Sequence, residues 1–287
     1  MPEDYALNRH ASHVAQEIDR VRNGHWEREP DFLAVEEPLA IHVSYVADGQ
    51  RVNAPLSVTM RTPGHDFELA AGFLFAEGLV RARDDIEDIA AGPEPGGAEQ
   101  TTIVVRFRDG LDVDIEALKR NFTATSACGV CGKASLDALV HEGCRPLKST
   151  AAIHGAVLVS LPPAMLTGQS GFETTGGVHA CGLFSTEGRL LSLKEDVGRH
   201  NALDKLVGQH FLAGTMERLE NCVLVLSGRA SYELLQKALR ARIPIVAAVG
   251  APSSLAVEIA RTFDITLAGF LKPSGFNVYA AGGRIRE

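Results

Sequence analysis

Two late stretches, Asn221-Cys222-Val223-Leu224-Val225-Leu226 and Ile243-Pro244-Ile245-Val246-Ala247-Ala248-Val249, are apolar without alternation, and each runs into a small polar turn. The turns are Ser227-Gly228-Arg229 and Gly250-Ala251-Pro252-Ser253-Ser254. Helical spacing follows each turn, with Leu234, Leu235, Ala238 and Leu239 after the first and Leu255, Ile259 and Phe263 after the second, before Ile265-Thr266-Leu267. Strands that alternate with helices and are apolar on both faces predict a largely parallel sheet. Upstream the period shortens. Leu39–Val46 and Pro55–Met60 flank Asp48-Gly49 as a hairpin, and Thr101–Phe107 reads as a β-branched strand. Asp66 is placed to cap a helix carrying Leu69, Phe73 and Ala76 that stops at Gly78. Ala134–Val140 is helix-like, Gly92–Glu99 is a surface loop, and Ala156–Val159 reads as a strand or buried apolar segment before a break at Pro162-Pro163. Residues 1–30, polar around the lone Trp26, read as a loosely held extension. The expected division is thus 1–30 as extension, 31–125 as a smaller N-terminal β-rich α+β region, 126–145 as a mobile loop with its following helix, and 146–287 as an α/β ligand-binding region.

Composition narrows the classes. At 287 residues, 45% hydrophobic and 22% charged, the chain can bury one large core or two modest ones and is not a disordered sequence. Its start lacks a basic segment followed by an apolar core, and no run reaches about 18 apolar residues, so a cytoplasmic protein without membrane spans is expected. A formal charge of −8 opposes binding to nucleic acid backbones. Arg240-Ala241-Arg242 reads as a solvated helix end.

Candidate chemistry centres on Thr125-Ser126-Ala127-Cys128-Gly129-Val130-Cys131-Gly132-Lys133. Two thiols sit two residues apart among small residues, and Lys133 with the following helix start can lower a thiol pKa. A zinc site would need two further ligands at matching spacing; His141 and Cys144 do not form such a pair, so no metal is expected. An odd count of 5 cysteines argues against a disulfide framework, although a reversible Cys128–Cys131 bond or a thiol redox role stays open. Loops at strand carboxyl ends bind anions in parallel α/β sheets, which brings forward both Ser227-Gly228-Arg229 and Gly250-Ala251-Pro252-Ser253-Ser254, with capping serines and turn glycines as the plainer alternative. Neither loop is a Walker or dinucleotide motif. Lys194-Glu195-Asp196-Val197-Gly198-Arg199-His200-Asn201 packs acids, bases and amides at the start of a helix, with His200 a ligand candidate; His179 reads as a satisfied core histidine.

Taken together, Ala127–Lys133, Glu195–Lys205, Ser227–Glu233 and Ala251–Ala256 resemble the FdhD family of formate dehydrogenase accessory sulfurtransferases. Glu36-Glu37-Pro38-Leu39, Met60–Gly64 and Phe276–Tyr279 extend the likeness over roughly residues 32 to 280. The resemblance implies a cytidine-deaminase-like, mostly parallel sheet flanked by helices. It also implies a persulfide carrier that takes sulfur from a cysteine desulfurase and passes it to a bis-molybdopterin guanine dinucleotide cofactor destined for formate dehydrogenase. Cys128 matches the persulfide cysteine and Cys131 the second thiol. Phe270-Leu271-Lys272-Pro273-Ser274-Gly275 falls at the cofactor contacts, in a homodimer. A non-catalytic cofactor chaperone is the alternative. Deamination is disfavoured, because no His-x-Glu or Cys-x-Glu element precedes the Cys-x-x-Cys pair.

Overall fold

The computed structural model describes residues 11–92, 101–111 and 132–287; Cys128 and Cys131 lie outside the described residues. Instead of a loose extension, strands β1 (His13–Arg22) and β2 (His25–Ala34) form an antiparallel ribbon turned by Asn23 and Gly24, both at positive φ. Neither of its faces is buried, so no hydrophobic alternation marked it. Arg20 instead bridges Glu29 and Asp31 across the strands.

The predicted hairpin is present as β3 (Glu37–Ala47) and β4 (Gln50–Arg61), with Asp48 and Gly49 in the two positive-φ positions of a tight turn. Helix α1 (Asp66–Ala76) follows. Asp66 does not cap it: His65 holds that position at φ 59°, and Asp66 is taken by the Arg61 guanidinium through contacts of 2.9 and 3.0 Å. Strands β5 (Ile86–Ala91) and β6 (Thr101–Phe107) complete a four-stranded sheet in the order β4-β3-β6-β5. Leu39, Ile41, Val43, Ile103, Val105 and Phe107 pack beneath α1 against Leu69 and Leu74.

Helix α2 (Gly132–His141) leads through the short strand β7 (Ile153–His154) into α3 (Gly155–Leu158) and α4 (Leu161–Leu166). The segment expected as a strand is therefore helical. Pro162-Pro163 lies in the first turn of α4 rather than breaking the chain, because the N–H that proline lacks would have no intrahelical partner there.

The main sheet is built from β8 (His179–Ser185), β9 (Leu190–Asp196), β10 (Cys222–Leu226), β11 (Ile245–Ala248), β12 (Thr266–Lys272) and β13 (Gly275–Ala280), in the order β13-β12-β11-β10-β8-β9. It is mixed rather than mostly parallel. Only β10, β11 and β12 run parallel, each linked to the next by a helix, α7 (Tyr232–Arg240) and α8 (Ser254–Thr262). β8 with β9 and β12 with β13 are joined by turns too short for a crossover and pair antiparallel, as do β8 and β10. One face of the sheet packs Leu224, Val246 and Leu267 on α6 (Arg199–Leu212), α7 and α8; the other packs Val223, Val225 and Ile245 on Leu158, Leu161 and Met165. The short helix α5 (Ser170–Thr175) sits beside the β1–β2 ribbon, and the C-terminal strand β14 (Ile285–Arg286) pairs with β7.

The two sheets are joined where α1 crosses α6. Buried beside the crossing, Lys205 Nζ lies 2.6 Å from an Asp196 carboxylate oxygen and donates to the Thr62 carbonyl at 2.8 Å. Asp196 also accepts from the backbone N–H groups of Thr62 and Gly198, and Asn201 donates to the Met60 carbonyl. The motifs Met60-Arg61-Thr62 and Glu195–Lys205 thus meet as a structural joint.

Candidate functional site

The predicted ligand residues converge on one end of the main sheet. Ser227, Gly228 and Arg229 follow β10; Val249 and Gly250 follow β11; Phe270 through Gly275 end β12 and open β13. Backbone hydrogen bonds tie these loops together: Val249 N–H donates to the Leu226 carbonyl, Gly250 N–H to Gly228, and Phe270 N–H to Gly250. A side chain at Gly250 would meet the Gly228 backbone at 3.0 Å, so glycine permits the close approach of the two loops.

Because β8 runs antiparallel to β10, its first residue, His179, stands beside this same end. Ser227 Oγ accepts from the Ala180 N–H at 2.9 Å, which fixes the neighbouring strand. A cavity of about 650 Å³ opens here, lined by His179, Ser227, Val249 and Pro273 on the loop side and by Pro162, Met165, Phe172 and Val178 opposite. Next to it, Phe270, Lys272, Ser274, Gly275 and Phe276 surround a shallower hollow of about 460 Å³. Phe270 is exposed despite its size and holds φ 52°, a conformation costly for an aromatic residue. Leu271, by contrast, is buried in the core and does not reach either hollow.

His200 stands on the first turn of α6 outside both hollows. Its Nε2 lies 3.0 Å from a Glu233 carboxylate oxygen and 3.3 Å from Ser231 Oγ, and this contact holds the Glu233 pKa below the usual carboxylate range. Arg229 and Lys272 are exposed and have no ion-pair partner among the described residues. His179 is half-buried rather than sealed in the core. Burial first, and then the nearby Arg199 and His200, push its pKa below the usual imidazole value.

The apolar wall formed by Pro162, Met165, Phe172 and Val178 escaped sequence reasoning. Pro162 reads in the sequence only as part of a break, and no charged or small-residue motif marks Met165, Phe172 or Val178.

The cysteines among the described residues are poor nucleophiles. Burial raises the Cys144 thiol pKa, carries Cys222 up to about 11 and Cys181 further still. Among the described residues no cluster of His, Cys, Asp and Glu could hold a metal ion, and no helix is long and apolar enough to cross a membrane.

This mixed sheet with a β-rich lobe is shared with a solved structure, a putative formate dehydrogenase accessory protein from Desulfotalea psychrophila. The match has a TM-score of 0.72 and 26% identity, and covers 96% of this chain and 100% of that one. Residues 34–286 match the model of the FdhD/NarQ family, and the chain belongs to that family. Among curated relatives, the sulfur carrier protein FdhD of Streptomyces avermitilis is 44% identical over 275 residues, 94% of each chain. That of Mycobacterium tuberculosis is 44% identical over 266 residues, 89% of this chain and 92% of the relative.

Proposed function

We propose that this protein is a sulfurtransferase that carries sulfur as a persulfide on Cys128. A cysteine desulfurase is the donor, and the acceptor is a bis-molybdopterin guanine dinucleotide cofactor later used by formate dehydrogenase. The Cys128 thiolate attacks the outer sulfur of the desulfurase persulfide, the S–S bond breaks, and the desulfurase cysteine leaves as thiolate, with no net redox change. Cys131 is the companion thiol for the later transfer to molybdenum. The observation that carries the reading is the pairing of relatives named as sulfur carriers with a chain whose described cysteines are all held as thiols. Sulfur loading therefore falls to the Cys128-Gly129-Val130-Cys131 segment.

The cofactor is the cargo, and the strand-end face suits it. The cavity walls of proline, methionine and phenylalanine offer flat apolar surface to a heteroaromatic ring. Exposed Arg229 and Lys272, with the polar Ser274, offer charge and hydrogen bonds to an anionic linker. Two subunits of a homodimer would supply such a face for each guanine end. The cytoplasm, where thiols stay reduced, is the compartment this chemistry needs.

Intact-protein mass spectrometry after incubation with a cysteine desulfurase and cysteine tests the proposal. A gain of about one sulfur mass that disappears in Cys128→Ala is expected. No gain in folded, reduced protein would refute sulfur carriage and leave a cofactor chaperone as the reading.

A further inference from the structure

We infer that Gln169 selects the ring seated in the strand-end cavity: its carboxamide hydrogen-bonds a ring edge that carries an N–H beside a carbonyl, the cyclic-amide edge of an oxopurine or a pterin. This rests on the reading of the cavity as the seat of a heteroaromatic ring, and it adds the group that tells one ring from another.

The first ground is a buried amide with nothing to bond. Gln169 is 4% exposed and lines the cavity. Its side chain makes no hydrogen bond among the described residues. Buried side-chain amides are ordinarily satisfied, so an idle one calls for an explanation. Asn201, the other buried carboxamide among the described residues, shows the contrast. It donates to the Met60 carbonyl and to Asp196, and it accepts from the Thr59 hydroxyl.

The second ground is the way the fold leaves that amide over. Gln169 holds the position before the first turn of α5, where a side chain ordinarily accepts from the N–H groups two and three residues on. Those N–H groups, of Gly171 and Phe172, donate instead to the two carboxylate oxygens of Glu195 on β9, at 2.8 and 2.9 Å. Gly171 admits the carboxylate, since a Cβ there would fall 3.0 Å from Glu195 Oε2. The Gln169 backbone is meanwhile held on both sides. Its N–H donates to the Leu166 carbonyl at 3.1 Å, and its carbonyl accepts from the Glu173 N–H at 2.9 Å. With the cap supplied from another strand and the main chain fixed, the carboxamide is positioned but unemployed.

The third ground is the setting. Among the described residues the other polar side chains of the lining are His179 and Ser227, and Ser227 Oγ is already engaged by the Ala180 N–H. Gln169 alone of the three presents a donor and an acceptor side by side. Apolar walls hold a flat ring by its faces, and a few placed polar groups fix its orientation and identity. The complement of a carboxamide is an N–H next to a carbonyl, and a ring without that pair leaves part of the amide buried and unsatisfied.

Inosine and purine riboside share one ring system and differ in this edge, which purine riboside lacks. Calorimetric titration of the full chain with each, in the wild type and in Gln169→Leu, tests the inference. The wild type should prefer inosine by roughly tenfold to a hundredfold, and the preference should vanish in Gln169→Leu. Neopterin, which carries the same edge on a pterin, is titrated in parallel and tells which of the two rings the cavity takes. Without ligand, Gln169→Leu should melt at or above the wild type, because it removes a buried polar group that has no partner. A lower melting temperature would show that the amide serves the fold and would overturn the inference. Equal preference for inosine in both proteins, with neopterin also bound equally, overturns the role of Gln169 and leaves the ring seat standing. No binding of inosine or neopterin to the wild type at millimolar concentration removes the ring seat as well. Sulfur carriage is judged apart from all of these, by persulfide loading of Cys128 in the absence of any ring.

Discussion

Replacing Gly208 by alanine should destabilise the protein, although helix propensity alone predicts the opposite. Gly208 lies inside α6 where α1 crosses it. A Cβ at this position would fall 2.7 Å from the Glu68 carbonyl carbon and 2.8 Å from the Gly72 nitrogen, and closer still to the Glu68 oxygen. All three are backbone atoms, so no side-chain rotation can relieve the clash. The reciprocal contact is as tight, since a Cβ at Gly72 would sit 2.7 Å from the Asp204 carbonyl carbon. Relief requires the two helices to separate. That would open the packing of Phe75 on Phe211, now 5.4 Å between ring centroids, and of the buried Leu69 and Leu74. Alanine gains about 1 kcal/mol over glycine in a helix interior. Overpacking costs about 1–3 kcal/mol, and a backbone clash belongs at the upper end. The net is about 2 kcal/mol of destabilisation, or a melting temperature lower by about 4–8 °C for a chain of this size. Thermal unfolding followed by circular dichroism measures it. Gly72→Ala should behave alike, and the double variant should cost less than the sum, because one substitution already parts the helices. A melting temperature equal to or above wild type in Gly208→Ala would show that the crossing is looser than described and refute the argument.

Asp196→Ala strands the buried Lys205 ammonium and should cost about 3–5 kcal/mol in urea unfolding, with much of it regained when Lys205→Met is added; a smaller loss in Asp196→Ala than in the double variant would contradict the pairing. Burial depresses the pKa values of His179 and His210, so the unfolded chain binds more protons than the native one in acid. The stability from keeping these rings neutral is present above about pH 6.5 and is lost as pH falls below it, so melting temperature should drop on acidification and drop less in the His179→Gln, His210→Gln double variant. Cys181 and Cys222 should resist iodoacetamide at pH 8 in the folded protein and react once it is unfolded, as peptide mass mapping will show; fast native labelling would contradict their raised pKa values.

The parts of the chain that sequence patterning disclosed are those where one physical signal dominates. The uniformly apolar strands β10 and β11 could only lie inside a sheet, and Asp48-Gly49 could hardly be anything but a tight turn. Asn23-Gly24 carries the same turn signal for the β1–β2 ribbon, but the flanking strands bury neither face and so show no hydrophobic alternation beside it. Helices α3 and α4 were missed for a related reason: a short, fully apolar stretch has no period, and only its length and its prolines distinguish helix from strand.

One misreading reached the site itself. Treating the sheet as mostly parallel puts the start of β8 at the far end from the ligand loops, where a histidine has nothing to do but fill space. The connections held the correction, since Thr186-Glu187-Gly188 between β8 and β9 and Pro273-Ser274 between β12 and β13 are turns, and a turn cannot return a strand parallel to its neighbour. With β8 reversed, His179 lines the cavity beside Ser227, and Asp196 at the end of β9 pairs with it across the strands. Strand direction, more than any motif, therefore decides which polar residues can act together here. The same residues in a parallel arrangement would leave His179 at the end of the sheet away from Ser227 and Pro273.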